Sequence, residues 1–142
     1  MYYKIRRFLL DIPYNLKKIK WFFQRGSRGW ADCDWWDMSG YLIGIILPML
    51  KELREYQHGY PGIGNADTPE KWDAILDQMI LGFGAGKRVS DDEYFMETND
   101  DILTRKPTSD EIRGWGDKSR KDQEIFDRGV ELFTEWYWAL WD

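Results

Sequence analysis

The chain has one cysteine, Cys33, and one histidine, His58, in 142 residues. A single thiol excludes an intramolecular disulfide. One thiol and one imidazole fall short of a zinc ligand set. A serine or cysteine nucleophile would have only His58 as its base, and His58 sits in a His58-Gly59-Tyr60-Pro61-Gly62 turn, where packing on Tyr60 is the simpler role. Long apolar runs are also missing. The longest uncharged one, Tyr41 to Leu50, is ten residues, against roughly 20 for a membrane-spanning helix. The N-terminal MYYKIRRFLLDIPY offers only Phe8-Leu9-Leu10 as an apolar block, too short for the core of a signal peptide. These absences lead to the expectation of a protein with no membrane span, working in a reducing cytoplasm. No internal repeat and no alternating strand pattern is visible.

What the chain has in abundance is tryptophan and segregated charge. Nine tryptophans and 17% aromatic residues let a few large rings supply the core of a small domain. Residues 1–28 carry a net charge of +7 and the remainder −12, for a total of −5. That total argues against a general nucleic-acid binder and leaves local binding through a basic arm open. At the change of sign lies Gln24–Asp37, QRGSRGWADCDWWD, with two arginines, three tryptophans and three aspartates in fourteen positions.

Apolar spacing predicts helices. Leu16, Ile19, Phe22 and Phe23 recur at helical spacing after Pro13, with Gly26 and Gly29 ending that element. A second helix runs from about Asp37 to Gln57 with a stripe of Leu42, Ile45, Ile46, Met49, Leu50 and Leu53; Pro48 inside it should bend the axis. Thr68-Pro69-Glu70 reads as cap, first helical position and first-turn acid. Trp72, Ile75, Leu76, Met79, Ile80 and Phe83 follow, with a stop near Gly82–Gly84. Residues 85–107 show no period and are acidic, so a long loop is expected there. Ser109-Asp110-Glu111 could cap a segment weakened by Gly114 and Gly116. Ile125, Phe126, Val130, Phe133, Tyr137 and Leu140 mark a last helix in which Gly129 admits a close neighbour. The expectation is all-α: a compact single domain, 1–142, of four to five helices with a basic N-terminal helical arm, 1–28, and an acidic loop, 85–107.

Three clusters carry possible chemistry. In one reading of the junction, Asp32, Asp34 and Asp37 are turn and cap residues while Trp30, Trp35 and Trp36 plug the core. In another, the aspartates bind a divalent cation with Arg25 and Arg28 holding phosphate. In a third, exposed tryptophans form a protein-binding surface. Glu52 and Glu55 share one helix face, and Asp73 and Asp77 another. Paired carboxylates on facing helices are how all-α nucleotide pyrophosphatases hold magnesium. Their E-x-x-E then E-x-x-D pattern is met by Glu52-x-x-Glu55 and departed from by Asp73-x-x-x-Asp77. With Lys51 and Arg54 interleaved, a solvated acidic face is the plainer account. Gly82-Phe83-Gly84-Ala85-Gly86-Lys87 lacks the spacing of a phosphate loop and follows a helix. Lys4, Arg6, Arg7, Lys17, Lys18 and Lys20 interleave with aromatics. That arm could lie on an anionic membrane or a nucleic-acid backbone, or pack its apolar residues on the domain, the expectation adopted here.

The chain resembles a family of small, tryptophan-rich proteins encoded by tailed bacteriophages and prophages. The resemblance rests on Gln24-Arg25-Gly26, on Arg28-Gly29-Trp30-Ala31-Asp32-Cys33-Asp34-x-Trp36, and on His58-Gly59-Tyr60-Pro61. It continues through Thr68-Pro69-Glu70-Lys71-Trp72-Asp73-Ala74-Ile75-Leu76, Gly129-Val130-Glu131-Leu132-Phe133 and Leu140-Trp141-Asp142. It covers most of the chain and matches poorly over 86–119. What it implies is origin, a phage protein in the cytoplasm of an infected bacterial host; it brings no activity with it. The resulting expectation is a non-enzymatic accessory protein that binds a host or phage macromolecule, with Arg25, Arg28, Trp30, Trp35 and Trp36 as binding residues. The alternative is a magnesium-dependent nucleotide-binding or nucleotide-hydrolysing protein using Asp32, Asp34, Glu52, Glu55, Asp73 or Asp77.

Overall fold

Five α-helices and a terminal 3-10 turn account for most of the described residues, which in this computed structural model are 16–96 and 106–141. They are α1 (residues 16–28), α2 (Met38–Tyr56), α3 (Pro69–Ser90), the short α4 (Glu93–Met96) and α5 (Ser109–Glu135), followed by a 3-10 turn at Tyr137–Ala139. No strand occurs among the described residues; Ile63 and Ala66 form one isolated bridge. The protein is all-α. No helix among the described residues is long and apolar enough to cross a membrane. The chain divides into two compact units, 1–41 and 42–142.

In the first unit α1 passes through Gly26 and ends at Gly29, whose φ of +81° is left-handed. The Gly29 N–H donates to the Arg25 carbonyl at 3.0 Å, closing the last turn. Leu16, Ile19, Phe22 and Phe23 are exposed. Asp37 caps α2, accepting from the Gly40 N–H at 3.1 Å, as its position before the apolar run suggests.

The second unit holds the core: Ile43, Leu47, Leu50, Trp72, Leu76, Met79, Phe83 and Trp136 are buried together. The expected cap of α3 is present, with Thr68 accepting from the Lys71 N–H and Pro69 in the first turn. On α2 the buried face is Ile43, Leu47 and Leu50, whereas Leu42, Ile45 and Met49 are exposed. The predicted stripe is therefore turned by about one residue. A run as uniformly apolar as Tyr41–Leu50 contains no polar face to fix the period.

α3 does not stop at Gly82–Gly84. It continues to Ser90, and α4 follows at Glu93, so the expected loop over 85–107 is largely helical up to residue 96; residues 97–105, with three of its six acids, lie outside the described residues. The physical reason is tertiary. Gly82, Ala85 and Gly86 are buried, and glycine's weak helix propensity yields to that packing. α5 likewise is one helix of 27 residues where two segments were expected. Its cap is Thr108, one residue before the predicted Ser109. Thr108 and Glu111 form a capping box, with the Thr108 N–H donating to Glu111 Oε2 at 2.7 Å and the Glu111 N–H to Thr108 Oγ1 at 3.3 Å.

α3 and α5 run antiparallel, as Trp72 meets Trp136, Gly82 meets Gly129 and Arg88 meets Asp122. Phe83 inserts edge-on between Phe126 and Phe133, with centroids 5.6 and 5.3 Å away. Gly114 and Gly116 have open space where a side chain would stand. Gly114→Ala is expected to stabilise the protein by about 0.5–1 kcal/mol through helix propensity alone, read as a higher urea midpoint.

Candidate functional site

The junction folds as two aspartate-centred clamps closed on the polar face of α1. Asp34 is buried, and Arg25 grips it with both arms: Nε to Oδ2 at 2.9 Å and Nη2 to Oδ1 at 2.5 Å. The Ala31 N–H donates to Asp34 Oδ2 at 2.7 Å, and the Asp34 N–H returns to the Ala31 carbonyl at 2.9 Å, tying the turn on itself. Arg25 holds the Asp34 carboxyl down at about 2 despite its burial. Burial and the adjacent Asp34 raise the Cys33 thiol, which disfavours a reactive thiolate.

Asp32 is the centre of the second clamp. It accepts from Lys20 Nζ at 2.7 Å, from Gln24 Nε2 at 2.8 Å and from Arg28, while its own N–H donates to Gln24 Oε1 at 3.0 Å. Gln24 first, then Lys20 and Arg28, hold its carboxyl well below the usual carboxylate range. These donors come from successive turns of one α1 face, so the spacing Lys20, Gln24, Arg28 is what allows one carboxylate to engage three turns. The arginines expected to hold phosphate are thus already paired with Asp34 and Asp32.

The tryptophans of the junction are exposed. Trp30, Trp35 and Trp36 are 43, 59 and 79% exposed, which does not fit the first reading of the junction, with the three rings as core plugs. Trp35 and Trp36 stack on each other with centroids 4.8 Å apart at 29°. The Arg28 guanidinium lies over the Trp30 ring at 3.8 Å and donates through Nε to the Trp30 carbonyl at 3.0 Å. Tyr41 donates its hydroxyl proton to the Gly29 carbonyl at 2.6 Å. The unit therefore presents large rings on a loop whose backbone is fixed by ion pairs. That arrangement suits recognition: rigid indoles lose little conformational entropy when covered.

The acids considered for magnesium do not converge. Glu52 and Glu55 are exposed on α2. Asp73 accepts from Gln57 at 2.6 Å and pairs with Arg54 at 3.3 Å, and Arg54 Nε donates to Asp77 at 2.9 Å. Among the described residues no group of three or more His, Cys, Asp or Glu side chains is placed to hold a metal ion. The spacing that suggested a cation site serves an ion-pair network between α2 and α3. The second unit's apolar cavity, about 460 Å³, is lined by Ile46, Met49, Leu50, Leu53, Phe133, Tyr137 and Leu140, with no acid, base or thiol in its wall.

Sequence reading missed one buried polar cluster. Asp122 on α5 accepts from Arg88 Nε at 2.7 Å and Nη2 at 2.8 Å, and from the Tyr94 hydroxyl. Its signal was position: Asp122 lies seven residues before Gly129 and so on the same face of α5. Comparison of the chain with protein families, with curated proteins and with solved structures finds no match.

Proposed function

We propose that the protein is a non-enzymatic phage accessory protein that binds a host or phage macromolecule through the tryptophan junction, acting in the cytoplasm of an infected bacterium. The observation that supports this reading is the stacked Trp35–Trp36 pair, both rings exposed, on a loop braced by Asp32 and Asp34. Exposed tryptophan is the side chain most often found as a binding hot spot. Bracing removes the cost of ordering the loop on contact. The origin comes from the family resemblance.

The experiment is a comparative capture from host and infected-cell lysates. The doubly substituted Trp35→Ala, Trp36→Ala protein should lose a stoichiometric partner that the wild type and Trp138→Ala both retain. Trp138 is the control because it is 88% exposed and stands outside the junction. Truncating a hot-spot tryptophan costs about 2–4 kcal/mol of binding, so a partner held equally by all three proteins would refute the reading. The pair's exposure also means that the double variant should unfold at the same urea concentration as the wild type.

A further inference from the structure

We propose that α1 is an interfacial helix that seats its apolar stripe in the headgroup region of an anionic lipid bilayer. This concerns a different surface from the tryptophan pair and does not depend on it. At about 100° per residue, Leu16, Ile19, Phe22, Phe23 and Gly26 fall within an arc of about 120°, and Lys18 and Lys20 flank its two edges. Leu16, Ile19, Phe22 and Phe23 are each more than half exposed. The opposite face holds Gln24, Arg25 and Arg28, which are the side chains engaged by Asp32 and Asp34.

That division selects the occupant. A nucleic-acid backbone needs free cations on the polar face, and there Arg25 and Arg28 are already bonded to the junction aspartates, as is Lys20 at its edge. The face left open is aromatic and aliphatic, and it calls for an apolar medium. A second copy of this chain would bring a +7 segment against another +7 segment, like against like. An anionic bilayer offers both an acyl boundary for the rings and negative charge for residues 1–28. The −12 remainder of the chain is repelled by the same surface, which leaves the arm as the part that faces it.

The test uses the full chain and flotation with phosphatidylcholine vesicles, with and without phosphatidylglycerol. The expected result is binding to the phosphatidylglycerol vesicles that weakens as salt rises, and little binding to phosphatidylcholine alone. Phe22→Asp should lower partitioning by roughly tenfold or more, since it removes a ring's worth of buried area and adds a like charge. Phe22→Leu should retain most of it. Phe22 is exposed, so both variants should keep the wild-type circular dichroism and urea midpoint. If Phe22→Asp fails that check, Ile19→Ser replaces it. No flotation with either vesicle, equal flotation with both, or binding that survives Phe22→Asp would each overturn the proposal. So would loss of a captured protein, rather than of vesicle binding, on changing the stripe.

Discussion

Arg88→Met is expected to cost about 3–4 kcal/mol at neutral pH, and most of that loss should vanish in acid. Asp122 is buried, 9% exposed, and its two strongest partners are the Arg88 donors. Removing the cation leaves a carboxylate that must either stay charged without its counter-ion or take up a proton. In the wild type, Arg88, and secondarily Tyr94, hold the Asp122 carboxyl below its ordinary value against the opposing effect of burial. A depressed folded-state value contributes stability above the unfolded value of about 3.9, and that contribution is lost as pH falls through the folded value. In the variant, burial is opposed only by the Tyr94 hydroxyl, and the folded value rises from its depressed level. The stability gap between wild type and Arg88→Met should therefore be wide at pH 7 and narrow at pH 3, measured by urea unfolding at both. Equal gaps would show that the guanidinium acts through packing alone. Asp122→Ala should cost less, about 2–3 kcal/mol, because Arg88 is 38% exposed and can turn toward water.

The same cluster should add to the loss of stability at alkaline pH. Burial first, and Asp122 second, raise the Tyr94 hydroxyl to about 12. A raised value stabilises the fold below the unfolded value of about 10 and is lost as pH climbs from there to about 12. Tyr94→Phe should flatten that loss while leaving most of the acid limb, which rests first on Arg88. The cluster joins α3 and the short α4 to α5, so its titration should register on the whole second unit.

The sequence made the helices legible wherever a polar face gave the period a reference. Thr68-Pro69-Glu70 and the Trp72–Phe83 stripe appear where expected because caps and amphipathicity agree. It failed where one of those cues was missing. Along Tyr41–Leu50 there was no polar face, and the buried side came out one residue away. At Gly82–Gly86 the local cue was breaking, yet the helix persists because Gly82 and Gly86 lie against α5, a fact that only the partner helix could supply. The junction was legible as composition and not as geometry. Asp32 and Asp34 do form turns, but the same carboxylates engage α1 across eight to twelve positions of sequence, and that closure is what turns the tryptophans outward. Asp122 was missed because a single aspartate in a polar helix carries no mark of burial beyond its seven-residue spacing from Gly129.

Gly82→Ala and Gly129→Ala are each expected to destabilise the protein by about 2–4 kcal/mol, although alanine is the better helix former by about 1 kcal/mol. A Cβ built on Gly82 would stand 2.5 Å from the Gly129 Cα, and one on Gly129 2.7 Å from the Gly82 Cα. The obstacle is backbone in both cases, so no rotamer change relieves it. Carbon atoms need about 3.5–4.0 Å, so the helices must part by about 1 Å, which forfeits a quarter to a half of each dispersion contact along the seam. The seam is where Phe83 sits between Phe126 and Phe133 and Trp72 meets Trp136. The separation forced by one methyl makes part of the room for the other, so the double variant should fall short of the sum of the singles, the sign of a shared contact. Gly84→Ala is the control. It lies two residues from Gly82 on the same helix, has nothing within 4 Å of its Cβ position, and should be neutral or stabilising by up to about 1 kcal/mol. Urea denaturation of the four variants decides the matter. Equal effects at Gly82 and Gly84 would mean that glycine serves α3 through backbone freedom, whereas a loss at Gly82 and Gly129 alone ties the second unit's stability to the close crossing of α3 and α5.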